Sequence, residues 1–206
     1  IEDRNRLMVM NLDTKKVRQV TDGSTWYSTG GGFDYAWSPD GKWFTLEFIG
    51  NKHDPYSDIG LVNAQGGDII NITNSGYTSG SPRWVLDGNA ILFITERYGM
   101  RNHASWGSLN DVMLVFLNQD AYDKFRLSKE DYELQKELEK EQDKTKEDES
   151  KKDKQKDKDK KEDTKEEKVK DIVVELKNME DRIVRLTPNS SNLSSAIISK
   201  DGEKLY

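Results

Sequence analysis

An Asp-Gly turn flanked by apolar runs occurs three times in this chain. The copies are Trp37-Ser38-Pro39-Asp40-Gly41-Lys42-Trp43-Phe44, Trp84-Val85-Leu86-Asp87-Gly88-Asn89-Ala90-Ile91 and Ile198-Ser199-Lys200-Asp201-Gly202-Glu203-Lys204-Leu205-Tyr206. Glycine accepts positive φ and aspartate tolerates it, so each copy reads as a β-hairpin. A second phrase alternates with the first and ends each time in Thr. It joins Leu7–Leu12 to Val17–Thr21, Ile59–Asn63 to Ile69–Thr73, and Ile172–Leu176 to Ile183–Thr187. These phrases read as second hairpins, with partial in/out alternation. The repeating unit is therefore four short strands: hairpin, connection, hairpin.

Asp40 and Asp87 are 47 residues apart, within the ~40–50 of a propeller blade. Asp87 and Asp201 are 114 apart, which leaves 67 residues beyond one period. Composition shows where most of them lie. Residues 136–170 hold 14 Lys and 14 Asp/Glu, while the remaining 171 residues carry the whole net charge of −6. The chain is globular sequence interrupted by a polyampholyte. A four-stranded blade cannot bury both faces alone, so blades stack in closed sets of about four to eight. The expected fold is all-β: a partial β-propeller of four-stranded antiparallel blades with a charged insertion. Residues 1–118 hold the end of one blade, one full blade and the start of the next. Residues 119–170 form the insertion, at or near the third strand of the interrupted blade. Residues 171–206 complete that blade and start another. A chain that starts and stops in mid-blade reads as a piece of a longer protein. Its outer blade faces are expected to expose some of Trp37, Phe44, Phe48, Trp84, Ile91 and Phe93, and its half-blades to leave strand edges that template association. Trp37 and Trp84 stand at equivalent positions and are expected to pack blade on blade.

The insertion is informative in its first half. Ser128 suits an N-cap, Asp131 follows at the third helical position, and Leu134 and Leu138 share one face. The spacing predicts a helix over about 129–144. Beyond it no apolar stripe remains, and Lys, Asp and Glu alone do not offset the entropy of ordering, so a mobile or frayed segment is expected.

The charge balance argues against nucleic acid, whose binders present a basic face. Zero Cys removes disulfides, thiolate zinc sites and cysteine nucleophiles. No apolar run reaches the length of a membrane span, and Ile1-Glu2-Asp3-Arg4 opens charged with no leader-like stretch behind it. No nucleophile elbow, zinc-peptidase motif or phosphate loop is present, so no catalytic residue, metal ligand or cofactor is assigned. The polar residues of interest lie in Gly50–Asp58 and Glu96–Ser108, between second and third strands of successive blades. They belong to one face of a propeller. His53, Asp54, Arg97, Arg101, His103 and Trp106 are the candidate contacts to a peptide or a neighbouring domain. A plainer reading makes Asp54, Asp58 and Asp111 turn stabilisers and has Arg97 and Arg101 pair between blades.

Ser38-Pro39-Asp40-Gly41-Lys42 resembles the blade signature of TolB-type and tricorn-type propellers. Phe33–Phe48, Asn74–Trp106 with Ser81-Pro82-Arg83-Trp84 and Thr95-Glu96-Arg97-Tyr98-Gly99, and Glu180-Asp181-Arg182 to Pro188 look like bacterial tricorn protease homologues. So does the Lys/Glu/Asp-rich insertion before the Glu-Asp-Arg stretch. In that family propellers precede a PDZ domain and a tail-specific serine peptidase domain. The resemblance implies a non-catalytic segment that gates or channels peptides to a downstream serine endopeptidase. It implies as partners peptide substrates and the remaining propeller, PDZ and peptidase domains, with homo-oligomerisation open. It also implies a periplasmic or envelope location, with the cytoplasm as the alternative. The rival readings are a TolB-type binding module and the propeller of a prolyl-oligopeptidase-like hydrolase.

Overall fold

A computed structural model of the chain describes residues 6–23, 33–50, 56–101, 107–138, 141 and 171–206. They fall in two compact units, Ile1–Gln119 with Lys170–Tyr206, and Asp120–Val169.

The first unit is built of antiparallel sheets. Strands β1 (Met8–Met10) and β2 (Val17–Gln19) form a two-stranded sheet. Strands β3 (Tyr35–Trp37), β4 (Trp43–Phe48), β5 (Asp58–Asn63) and β6 (Ile70–Asn71) form a four-stranded sheet in sequence order. Strands β7 (Ser79–Val85), β8 (Ala90–Thr95), β9 (Asp111–Phe116) and β10 (Ile183–Arg185) form another, again in sequence order. These two complete sheets are blades, called first and second below. The hairpin 196–206, tied by the Ile198–Leu205 bridge, repeats the first two strands of a blade.

The interior strands are apolar on both faces because both faces are covered. Ile59 and Leu61 of β5 meet Ile91 and Phe93 of β8 and Met113 and Val115 of β9 in one core. From the other face of the first blade, Phe44, Leu46, Phe48 and Val62 meet Leu7 and Val20. Each such side chain contributes about 1.5–3 kcal/mol by leaving water. Of the six residues among which some were expected to be exposed, Phe44, Phe48, Ile91 and Phe93 are buried. Trp84 is half-buried, and its indole N–H donates to the Ala36 carbonyl of the first blade at 3.0 Å. Trp37 stays 48% exposed.

The second blade corrects the strand assignment at the insertion. Its third strand is β9, paired with β8 over Asp111–Phe116, and 172–176 is extended chain outside any sheet. The insertion therefore lies between third and fourth strands. Both runs are apolar, but β9 pairs with β8 over its whole length. The 172–176 run instead turns Ile172 and Val174 toward the core.

Two of the Asp-Gly turns are built identically. Ser38 Oγ donates to Asp40 at 2.6 Å and accepts from the Trp43 amide at 2.9 Å, and Asp40 also accepts from the Lys42 amide at 3.0 Å. Ser199, Asp201, Glu203 and Lys204 repeat this pattern. In the middle copy Val85 replaces the serine, and Leu86, Asp87 and Gly88 all take positive φ. The turns of successive blades stack: a Cβ on Gly88 would meet Ile172 and Pro39, and one on Gly202 would meet Leu86.

The two ends of the insertion are fastened to this unit. Glu175 N donates to Leu117 O at 2.7 Å, Ile172 N donates to Asp40 Oδ2 at 3.0 Å, and Lys42 pairs with Asp171 at 2.6 Å. Desolvation alone would raise the Asp40 pKa. The bonds from Ser38, Ile172 and Lys42, with the Lys42 charge, outweigh it and hold the carboxyl below its usual value.

Helix α1 spans Gln119–Phe125, and within the second unit another helix covers 129–138. The expected N-cap is present there, with Asp131 N donating to Ser128 Oγ at 3.1 Å and Ser128 Oγ to Asp131 Oδ2 at 2.7 Å. Residues 142–170, which include the end of the expected helix and the stretch beyond about 144 expected to be mobile, lie outside the described residues. The fastening contacts all lie outside 144–170. Replacing that stretch by a Gly-Ser linker of about ten residues is expected to shift the melting temperature by less than about 3 °C, because each halving of a loop changes closure entropy by only ~0.6 kcal/mol. A fall of about 10 °C or more overturns the expectation and means that the stretch packs.

Candidate ligand-binding rim

One edge of the two blades carries the polar connections. Phe48 pairs with Asp58 across the first blade, and Ser79, Thr95 and Asp111 line up across the second. The connections after β4, β6, β8 and β10 therefore emerge side by side.

A repeated latch underlies this edge. Asp58 Oδ1 accepts from Thr73 Oγ1 at 2.8 Å and from the Ser75 amide at 3.2 Å, and Asp58 Oδ2 accepts from Asn71 Nδ2 at 2.9 Å. Thr73 Oγ1 in turn accepts from the Ile59 amide at 3.0 Å. In the second blade Asp111 is fully buried. Its Oδ1 accepts from Thr187 Oγ1 at 2.7 Å and from Arg185 at 2.9 and 3.0 Å, and its Oδ2 accepts from Ser190 Oγ at 2.7 Å. Thr187 Oγ1 accepts from the Val112 amide at 3.2 Å. The β1–β2 hairpin keeps the threonine half of the latch, with Leu7 N donating to Thr21 Oγ1 at 2.9 Å, but has Arg6 at the aspartate position. The recurrent terminal Thr of the sequence is thus a strand-end acceptor. Burial pushes the Asp111 pKa up, but the bonds from Thr187, Ser190 and Arg185, with the Arg185 charge, bring it below the usual value.

Arginines and tyrosines stand on this base. The Arg101 guanidinium lies 5.0 Å from the ring centre of Tyr77, between the blades, and 5.9 Å from that of Tyr56 on the first blade. Tyr98 sits between Arg97 at 5.5 Å and Arg185 at 5.1 Å. Such contacts hold about 0.5–1 kcal/mol each at exposed sites and keep a guanidinium in place while its N–H groups still face solvent. Arg185 is engaged by Asp111. Arg97 and Arg101 are exposed; among the described residues no carboxylate pairs with either, and both lie over tyrosine rings. Gly99 shapes the turn between them. A Cβ there would lie 1.6 Å from the Leu109 carbonyl oxygen, so only glycine lets the two sides of the 96–110 connection approach.

Of the six candidate residues, Arg97 and Arg101 are on this rim. His53, Asp54, His103 and Trp106 lie outside the described residues. Sequence reasoning missed Tyr56 and Tyr77. Their one common signal is position, each two residues before the first residue of a strand, β5 and β7. Among the described residues no three Asp, Glu, His or Cys gather as a metal site, and no helix is long and apolar enough to cross a membrane.

Four-stranded antiparallel sheets that follow one another in sequence and pack face against face define a partial all-β propeller. Its arrangement is tricorn-like. The chain is similar to the crystal structure of the tricorn protease, with a TM-score of 0.53 and 12% identity, over 95% of this chain and 16% of that one. It is also 34% identical over 59 residues to an uncharacterized peptidase, YuxL, of Bacillus subtilis (strain 168), which is 29% of this chain and 9% of the relative. The chain thus spans a small part of either protein. No protein-family model matches it.

Proposed function

We propose that the chain is the non-catalytic β-propeller segment of a tricorn-like serine peptidase and that its Arg/Tyr rim contacts peptides on their way to a peptidase domain elsewhere in the protein. The carrying observation is the rim: Arg97 and Arg101 are held on tyrosine rings without a carboxylate partner among the described residues, on a fold shared with a protease. Guanidinium groups held in this way suit backbone carbonyls and carboxylates of an extended peptide. A PDZ domain, a tail-specific peptidase domain and an envelope location belong to this proposal through the resemblance of the blade motifs.

The purified chain is expected to bind labelled unstructured peptides and leave them intact. Changing Arg97 and Arg101 together to Ala is expected to weaken binding about tenfold, or ~1.4 kcal/mol. Peptide cleavage blocked by a serine-directed inhibitor overturns the non-catalytic assignment. Unchanged binding in the double variant overturns the rim.

A further inference from the structure

A notch opens on the rim where the two complete blades meet. Phe93 and Met113, both buried in the core of the second blade, form its base. Thr73, Ser75, Ser79 and Thr95 form its sides. Arg97 is the one exposed residue of its lining and so marks its mouth. The free space is that of about one water molecule.

Four hydroxyls surround this space, and each already donates within the protein. A hydroxyl has a single O–H to give. Thr73 Oγ1 donates to Asp58 Oδ1 at 2.8 Å, Ser75 Oγ to the Tyr77 carbonyl at 3.2 Å, Ser79 Oγ to Thr95 Oγ1 at 3.1 Å, and Thr95 Oγ1 to the Thr78 carbonyl at 3.2 Å. Three of them also accept a backbone amide, from Ile59, Tyr77 and Arg97. Little is left for a water, which needs about two to four polar partners. A methyl-sized apolar group suits the space better. Charge surrounds the opening. Arg97 stands over Tyr98 at 5.5 Å, and Tyr77, whose amide Ser75 holds, carries Arg101 over its ring at 5.0 Å.

We propose that this notch is a specificity subsite of the rim: it takes an alanine-sized side chain of an extended peptide whose flanking side chains are acidic. The inference rests on the peptide-binding reading of the rim given above. One methyl group fills the notch, whereas a longer side chain has to displace Phe93 or Met113 from a packed core. One methylene more or less in such a hole changes binding roughly 10–200-fold. Aspartate or glutamate on either side of the small residue brings two carboxylates to two guanidiniums, as charge-assisted hydrogen bonds. A chain-terminal carboxylate brings only one.

The probes are three peptides, labelled at the N-terminus and amidated at the C-terminus: Gly-Gly-Glu-Ala-Glu-Gly-Gly, its Leu-for-Ala analogue, and its analogue with Gln for both Glu. Fluorescence anisotropy with the purified chain is expected to show the Glu-Ala-Glu peptide binding about tenfold more tightly than either analogue. Equal affinity for the Ala and Leu peptides overturns the notch, and equal affinity for the Glu and Gln peptides overturns the acidic preference. In both cases the rim still binds peptide. Failure to bind any of the three brings down the rim reading itself, and the subsite with it. Two variants locate the effect. Ser79→Thr adds a methyl group at the notch and keeps the hydroxyl, and is expected to abolish the preference for Ala over Leu. Thr73→Ser removes a methyl group and keeps the bond to Asp58, and is expected to narrow that preference. A preference that neither folded variant moves overturns the assignment of the notch.

Discussion

Replacing Arg182 by Met is expected to destabilise the chain by about 3 kcal/mol or more, the largest loss foreseen from a single side chain. Arg182 is 3% exposed. Its Nε donates to the Phe116 carbonyl at 3.2 Å, Nη1 donates to the Lys177 carbonyl at 3.0 Å, and Nη2 donates to the Glu175 carbonyl. Phe116 is the last residue of β9, before the insertion, while Glu175 and Lys177 follow it. One planar fork of donors thus ties the outgoing and returning chains together. Methionine fills similar volume but leaves three carbonyls without their donor, each costing about 1–3 kcal/mol where water cannot replace it. Lysine keeps the charge but not the fork, so Arg182→Lys is expected to fall between wild type and Arg182→Met. Denaturant melts with an unchanged slope measure the difference. A loss below about 1 kcal/mol for Arg182→Met would show that the carbonyls find other partners.

The Glu-Asp-Arg stretch was visible in the sequence only through resemblance, and its structural role explains why. Arg182 meets Phe116 across 66 residues, and Thr187 meets Asp111 across 76, with the insertion between them. Periodicity reads neighbours along the chain and does not see such pairs. The Asp-Gly turns were legible because Ser38, Asp40 and Lys42 bond within a few residues. The middle turn was legible by its Asp-Gly but not in its conformation, since Val85 supplies no hydroxyl. The sequence reading took 172–176 as the third strand of the second blade, and local propensity does not separate that run from Asp111–Phe116. Pairing with β8 does. On the rim, Arg97 and Arg101 were legible as charged residues in a loop. Tyr56 and Tyr77 were not, because a cation over a ring depends on how two blades stand together.

The buried Asp111 is expected to make the chain's stability fall on acidification. Its native pKa lies below that of a free aspartate: burial works against ionisation, but Thr187, Ser190 and Arg185 all donate to the carboxylate and Arg185 adds its charge. A carboxyl with a lowered native pKa contributes stability that is fully present above its unfolded value of about 3.9. The contribution is lost as pH falls through the lowered native value, because the unfolded chain takes up the proton first. Asp111→Asn keeps the shape but removes the charge, leaves Arg185 without its counter-ion, and turns amide hydrogens toward hydroxyls that were donating. The variant is expected to lose about 2–3 kcal/mol near neutral pH, the range for a charge-assisted buried network. The gap between wild type and variant is expected to shrink below about pH 4, where the Asp111 carboxyl of the unfolded wild-type chain begins to take up a proton while the native one stays ionised. Asp40 shares the lowered pKa through Ser38, Ile172 and Lys42, so the double variant with Asp40→Asn should flatten the acid limb further. Urea melts from pH 7 down to about pH 3 give the curves. A gap that stays constant over that range would mean that the Asp111 charge does not stabilise the fold, and the latch would then act through shape and hydroxyl bonding alone.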